Sequence, residues 1–130
     1  MIRAKILLIE DNAENRYLAT FLLTKRGHEV VTAQSGPEGI ELAARIAPDL
    51  ILLDIQLPGM DGHAVSKVLK SDPRLKAIPI IAVTSYAMVG DREKCLEAGA
   101  EGYIEKPIDP ETFVAEIEKF LKPLEEASLL

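Results

Sequence analysis

A chain of 130 residues with 48% hydrophobic content has the length and apolar fraction of one globular domain, which excludes wholesale disorder. A formal net charge of −6 offers no basic face for nucleic acid and little attraction to an anionic membrane. The apolar runs are too short to span a bilayer, residues 1–9 lack a signal-peptide core, and the single cysteine, Cys95, suits a reducing compartment, so a soluble cytoplasmic domain is expected.

Lys5-Ile6-Leu7-Leu8-Ile9 is a fully apolar run that ends in two acids, Glu10 and Asp11. Such a run reads as a strand buried on both faces. A helical pattern follows from about Ala13 to Arg26, with Tyr17, Leu18, Phe21 and Leu22 at helical spacing, Asp11 or Asn12 as candidate cap, and Gly27 as the stop. Glu29-Val30-Val31-Thr32 is a short, half-polar strand, and Ser35-Gly36-Pro37 opens a second helix that should turn Ile40, Ala43, Ala44 and Ala47 to the sheet.

Leu50-Ile51-Leu52-Leu53-Asp54 is the third strand; it ends on an acid and runs into the breaker Pro58-Gly59. Asp61 can cap a third helix containing Val65, Val68 and Leu69, which stops before Ser71-Asp72-Pro73. Pro79-Ile80-Ile81-Ala82-Val83 is the fourth strand, with Thr84 and Ser85 at its carboxyl end. The helix after it, about Ala87 to Ala98, has a polar first half and few core candidates: Met88, Cys95, Leu96 and Ala98. Gly102-Tyr103-Ile104 is a short fifth strand leading to Lys106-Pro107. The last helix is expected to take Asp109 as N-cap and Pro110 in its first turn, with Phe113, Ile117, Phe120 and Leu121 on its apolar face. Residues 1–123 thus read as one domain, and 124–130 as a short tail with no output domain.

Five strands alternating with five helices imply an α/β fold, a doubly wound parallel sheet with right-handed crossovers. The apolar strands one, three and four belong in the centre and the polar strands two and five at the edges, which the flavodoxin-like order 2-1-3-4-5 satisfies. In that order Glu10, Asp11 and Asp54 converge at the switch point, joined by Thr84 and Lys106 from the next two strands. Three carboxylates in one crevice repel one another, and a hard cation such as Mg²⁺ relieves them. Cys95, His28 and His63 lie on other segments, so transition-metal ligation is not expected, and both histidines read as solvated surface positions. A carboxylate beside Mg²⁺, an ammonium and a hydroxyl can accept a phosphoryl group: Asp54 attacks, Lys106 holds an oxygen and Thr84 donates a hydrogen bond.

Glu10-Asp11, Asp54, the loop Leu57-Pro58-Gly59-Met60-Asp61-Gly62, Thr84-Ser85, Tyr103 and Lys106-Pro107, in this order, resemble the two-component response-regulator receiver domain over nearly the whole chain. A chemotaxis member of that family has the same strand order. The resemblance implies a phosphorelay phosphoprotein that forms an aspartyl phosphate with Mg²⁺, receiving the group from a sensor histidine kinase or a histidine phosphotransfer protein. It implies metal ligation by Asp11, Asp54 and the carbonyl of Gln56, with Glu10, where aspartate is common, acting through water. A cis peptide before Pro107, a Thr84–Tyr103 switch, and tuning of phosphate lifetime by Gln56 and Tyr86 are implied as well. The output is expected on helix four, strand five and helix five, read by a downstream protein, as in stand-alone receivers of the chemotaxis and DivK-like cell-cycle types or a receiver cut from a hybrid kinase. The protein is then a signalling phosphoacceptor that assists its own labelling and hydrolysis, not an enzyme in the usual sense.

Two rivals remain at this level. A haloacid-dehalogenase-type phosphatase also uses an aspartate, Mg²⁺ and a lysine, but it carries a second acid two residues after the nucleophile, where this chain has Gln56. A degenerate receiver acting as a non-phosphorylated interaction module would typically lack the aspartate, the lysine or the acid pair, and this chain keeps them all.

Overall fold

A computed structural model describes residues 3–85 and 88–121. The strands are β1 (Lys5–Ile9), β2 (Glu29–Ala33), β3 (Leu50–Asp54), β4 (Ile80–Thr84) and β5 (Gly102–Glu105). The helices are α1 (Ala13–Lys25), α2 (Gly36–Ile46), α3 (Gly62–Ser71), α4 (Asp91–Glu97) and α5 (Phe113–Glu118). All strand pairings are parallel and the order is β2-β1-β3-β4-β5, as expected. Among the described residues no helix is long and apolar enough to cross a membrane.

Side chains alternate across each strand, so the sheet divides two cores. Leu7, Ile9, Ile51, Leu53, Ile80 and Ala82 face α2, α3 and α4, whose Ala43, Val65, Leu69 and Cys95 close that side. Ile6, Leu8, Leu50, Leu52, Ile81 and Val83 face α1 and α5 and meet Ala19, Leu23, Phe113 and Ile117. β3 and β4 are buried at every position, which is why they read as unbroken apolar runs.

The helices depart from the sequence reading in four places. In α1 the buried residues are Ala19 and Leu23, while Tyr17 and Phe21 point outwards and stack on each other. Apolar residues occupy more than one side of this helix, and the shorter ones fit closest to the sheet. In α2, Gly36, Gly39 and Ala43 are buried and Ala44 and Ala47 are exposed; a Cβ on Gly39 would stand 2.4 Å from Ile9 Cδ1, so the glycine lets the helix approach β1. α4 starts only at Asp91, after Gly90 at φ 88°, and leaves Met88 and Leu96 exposed; Cys95 is its one buried residue. Asp109 organises the turn before α5, accepting from Glu111 N–H through its side chain and from Phe113 N–H through its carbonyl, and the helix itself begins at Phe113 with Thr112 as N-cap.

His28 is also placed otherwise than expected. It is buried at the amino end of the sheet, where Nδ1 accepts from Ala4 N–H at 3.1 Å and Nε2 lies 2.8 Å from Glu118 Oε2. Because Nδ1 accepts, the ring proton sits on Nε2 and is donated to Glu118. Arg26 Nη2 binds the other Glu118 oxygen at 2.8 Å.

The carboxyl end of α4 is fastened. Ser66 Oγ of α3 donates to Ala98 O at 2.8 Å, and Lys70 Nζ donates to Ile78 O at 2.9 Å and to Glu101, whose other oxygen accepts from Ile80 N–H.

Candidate phosphoacceptor site

The carboxyl ends of β1, β3, β4 and β5 bring the expected residues together. Glu10 continues the β1 ladder through Glu10 N–H to Ala33 O at 2.9 Å, and Asp54 closes β3. Both are buried, whereas Asp11 is exposed at the mouth. Asn12 takes the cap of α1 by accepting from Asn15 N–H at 2.9 Å, which leaves the Asp11 carboxylate to the crevice. Carboxylate oxygens of Glu10, Asp11 and Asp54 lie within 4.8 Å of one another.

Lys106 is the cation facing them. Its Nζ lies 2.8 Å from Glu10 Oε1 and 3.4 Å from Asp54 Oδ1. The Lys106–Pro107 peptide is cis, as the family resemblance implies, and Lys106 N–H donates to Thr84 O at 2.8 Å. Burial raises the Asp54 carboxyl from 3.8 to about 6, and the adjacent Glu10 carboxylate adds to the rise. The Gln56 N–H on Asp54 Oδ1, at 2.9 Å, and the Lys106 ammonium oppose it. Burial, with the Glu10 carboxylate, therefore outweighs the Gln56 N–H and the Lys106 ammonium.

The β3–α3 loop is shaped by two glycines and a cap. Gly59 turns at φ 79°, and Asp61 caps α3 by accepting from Ala64 N–H at 2.9 Å. A Cβ on Gly62 would stand 2.6 Å from Ile55 Cα and 2.7 Å from Asp54 O, so only glycine brings the start of α3 this close to the end of β3. Gln56 crosses to β4: its Nε2 donates to Thr84 Oγ1, and its Oε1 accepts from Ser85 N–H at 3.0 Å.

Thr84 and Tyr103 lie on the sheet face that carries α4. Tyr103 pairs with Ala82 in register, is half-buried, and donates its hydroxyl to Asp91 Oδ2 at 2.8 Å; burial and this carboxylate push the phenol up. Beside it runs an open groove of about 330 Å³ lined by Arg92, Tyr103, Glu105, Pro107, Thr112 and Glu116. Tyr86 lies outside the described residues, as does the expected tail at 124–130.

The sequence reading missed three features. Arg16 Nη1 donates to the carbonyls of Glu10 and Asp11, at 3.0 and 2.9 Å, and so holds the acid turn; an arginine five residues after an acid pair, on the first helical turns, is the available signal. The Gln56–Thr84 bridge has no sequence signal, since it joins residues far apart in the chain. The third is the approach of His63 to Cys95: both lie on segments away from the acid crevice, but α3 and α4 put His63 Nε2 3.6 Å from Cys95 Sγ, with Asp91 alongside.

Residues 6–118 match the family model for the response regulator receiver domain. The chain is 44% identical over 116 residues to the polar-differentiation response regulator DivK of Brucella ovis, covering 89% of this chain and 94% of that protein. Among solved structures, the Vibrio cholerae chemotaxis protein CheY4 matches with a TM-score of 0.87 at 28% identity, over 92% of this chain and 100% of that one. The receiver domain of the Pseudomonas aeruginosa sensor histidine kinase PA1611, solved with a magnesium ion coordinated in its active-site cleft, matches at 0.84 and 32% identity, over 92% of this chain and 98% of that one. Fold, ordered acids and these likenesses lead to one place: the chain belongs to the response regulator receiver domains, the phosphoacceptor signalling modules of two-component systems.

Proposed function

We propose that Asp54 is the phosphoacceptor, taking its group in the cytoplasm from the phosphohistidine of a sensor histidine kinase or a histidine phosphotransfer protein. The observation that carries this reading is the buried Asp54 carboxylate with Lys106 3.4 Å away and two further acids within 4.8 Å. An Asp54 oxygen attacks phosphorus, the P–N bond breaks and its electron pair leaves with the imidazole. Lys106 turns from Glu10 and Asp54 to an incoming phosphoryl oxygen, an oriented and mostly buried cation. The surplus of three acids over one lysine fits a divalent cation held by Asp11, Asp54 and the Gln56 carbonyl, with Glu10 acting through water. Mg²⁺ bound there supplies charge neutralisation for the carboxylates and the phosphoryl oxygens.

Thr84 Oγ1 accepts from Gln56 Nε2 in the resting state, so movement of this hydroxyl to donate to a phosphoryl group on Asp54 draws it away from Gln56. That displacement ties the lifetime role of Gln56 to the Thr84 switch; Tyr86 keeps its tuning role as an expectation. Withdrawal of Thr84 towards the phosphate opens room on the face it shares with Tyr103 and α4. α4 has one buried side chain and no side-chain cap, so it is cheaply displaced. The α4–β5–α5 surface, with the groove beside Tyr103, is the part a downstream protein would read.

The test is intact mass after acetyl phosphate and Mg²⁺. Wild type gains one phosphoryl group and Asp54→Asn gains none; labelling of Asp54→Asn at another residue overturns the assignment. Amide shifts with a beryllofluoride mimic should extend to α4 and Tyr103, and changes confined to the crevice loops refute the output face.

A further inference from the structure

We propose that His63, Asp91 and Cys95 form a second metal site, suited to Zn²⁺, at the junction of α3 and α4. One ligand atom from each residue lies within 4.8 Å of the other two. His63 opens α3, and Asp91 and Cys95 stand four residues apart on α4, hence on one helical face. The sharpest datum is the 3.6 Å between His63 Nε2 and Cys95 Sγ. Tetrahedral zinc, with Zn–S near 2.3 Å and Zn–N near 2.0–2.1 Å, holds its sulfur and nitrogen about 3.6 Å apart. That edge of the tetrahedron is already at its final length.

The carboxylate ligand also has a partner behind it, as metal-bound carboxylates usually do. Tyr103 donates to Asp91 Oδ2 at 2.8 Å and so orients this carboxylate. Asp61 Oδ1 accepts from Ala64 N–H and stands 4.0 Å from His63 Nδ1, beyond hydrogen-bond reach. A donor set of nitrogen, sulfur and one oxygen selects zinc over magnesium, so the two metal sites sort their ions by ligand type. Three protein ligands leave the fourth position to water. Burial and Asp91 push the Cys95 thiol up to about 11, so the resting group is the thiol. Binding forms the S–Zn bond and releases the thiol proton to solvent. The proposal is independent of the phosphoacceptor reading. The competing reading of the same geometry is a thiol–imidazole hydrogen bond that merely fills the α3–α4 gap.

Cobalt titration of the full chain separates the two, with Mg²⁺ in large excess to occupy the carboxylate crevice. The expected result is one equivalent of Co²⁺ bound with a thiolate-to-cobalt charge-transfer band and tetrahedral d–d absorption, both displaced by Zn²⁺. The band should vanish in Cys95→Ser and persist in Asp54→Asn, and His63→Gln should weaken Zn²⁺ binding by about tenfold or more. Should Cys95→Ser fail to fold, the half-buried His63→Gln carries the test alone. Absence of the band in wild type overturns the site. So does a band that survives Cys95→Ser, or Zn²⁺ affinity unchanged in His63→Gln.

Discussion

Two polar clusters with buried centres occupy opposite ends of one sheet, and they are built on opposite principles. At the amino end, His28 has a partner on each ring nitrogen and Glu118 divides its two oxygens between His28 and Arg26. At the carboxyl end, Glu10 and Asp54 share Lys106 with Asp11 close by, and Asp54 is pushed up to about 6 by its own burial. A satisfied cluster loses when one buried partner is removed, because that strands another. A frustrated cluster can gain, because the fold already bears the cost of its charge. The difference marks which end serves the architecture and which end waits for a ligand.

The largest effect is expected at the satisfied end. His28→Ala removes a fully buried ring and strands the Ala4 N–H, and should cost roughly 3–4 kcal/mol in urea unfolding. A loss below about 1 kcal/mol would mean the cluster is ornamental.

Next comes Asp54→Asn in metal-free buffer, with the opposite sign. The folded carboxyl holds its proton up to about 6 against an ordinary 3.8, so the folded state binds the proton more tightly than the unfolded chain. Wild-type stability is therefore fully present below the lower value and lost as pH rises through the upper one. Asp54→Asn escapes this loss and should be more stable than wild type by on the order of 2 kcal/mol near pH 7.5, the two converging near pH 4. Equal or lower stability of the variant at neutral pH would remove the claim of frustration.

The smallest effect sharpens the contrast. Mg²⁺ at ten times its dissociation constant should stabilise wild type by about 1.4 kcal/mol, and by much less in Asp11→Ala. It should leave the cost of His28→Ala unchanged, since distant sites without shared partners add. A thermal-shift matrix of both variants with and without Mg²⁺ checks this, and a Mg²⁺-dependent His28→Ala increment would show that the two ends communicate.

What the sequence disclosed follows from range. Strands buried on both faces write themselves as apolar runs, and acids at their ends stand out, so the order of β1, β3 and β4 and the meeting of Glu10, Asp11 and Asp54 were legible. Asp61 as a cap and Gly27 as a stop are equally local signals. His28 was misread because its partners, Ala4 and Glu118, lie 24 and 90 residues away, and an edge-strand histidine looks solvated until α5 is laid over it. His63 and Cys95 are 32 residues apart and meet only through helix packing. Tyr17 and Phe21 show the limit of periodicity: the spacing identified a helix but could not choose between two apolar stripes, and the sheet took Ala19 and Leu23.

The fastening of α4 at one end has a mechanical consequence. Ser66 holds Ala98, and Lys70 and Glu101 lock the adjoining turns, while the opposite end begins at Gly90 with no side-chain cap. The helix is thus a lever with its pivot at the carboxyl end and its handle at Asp91. Seven residues give an arm of about 10 Å, so a swing of roughly 20° carries the handle about 3–4 Å while the pivot stays nearly still. The Tyr103 hydroxyl grips the handle, and a zinc ion between His63 and Asp91 would bolt it down.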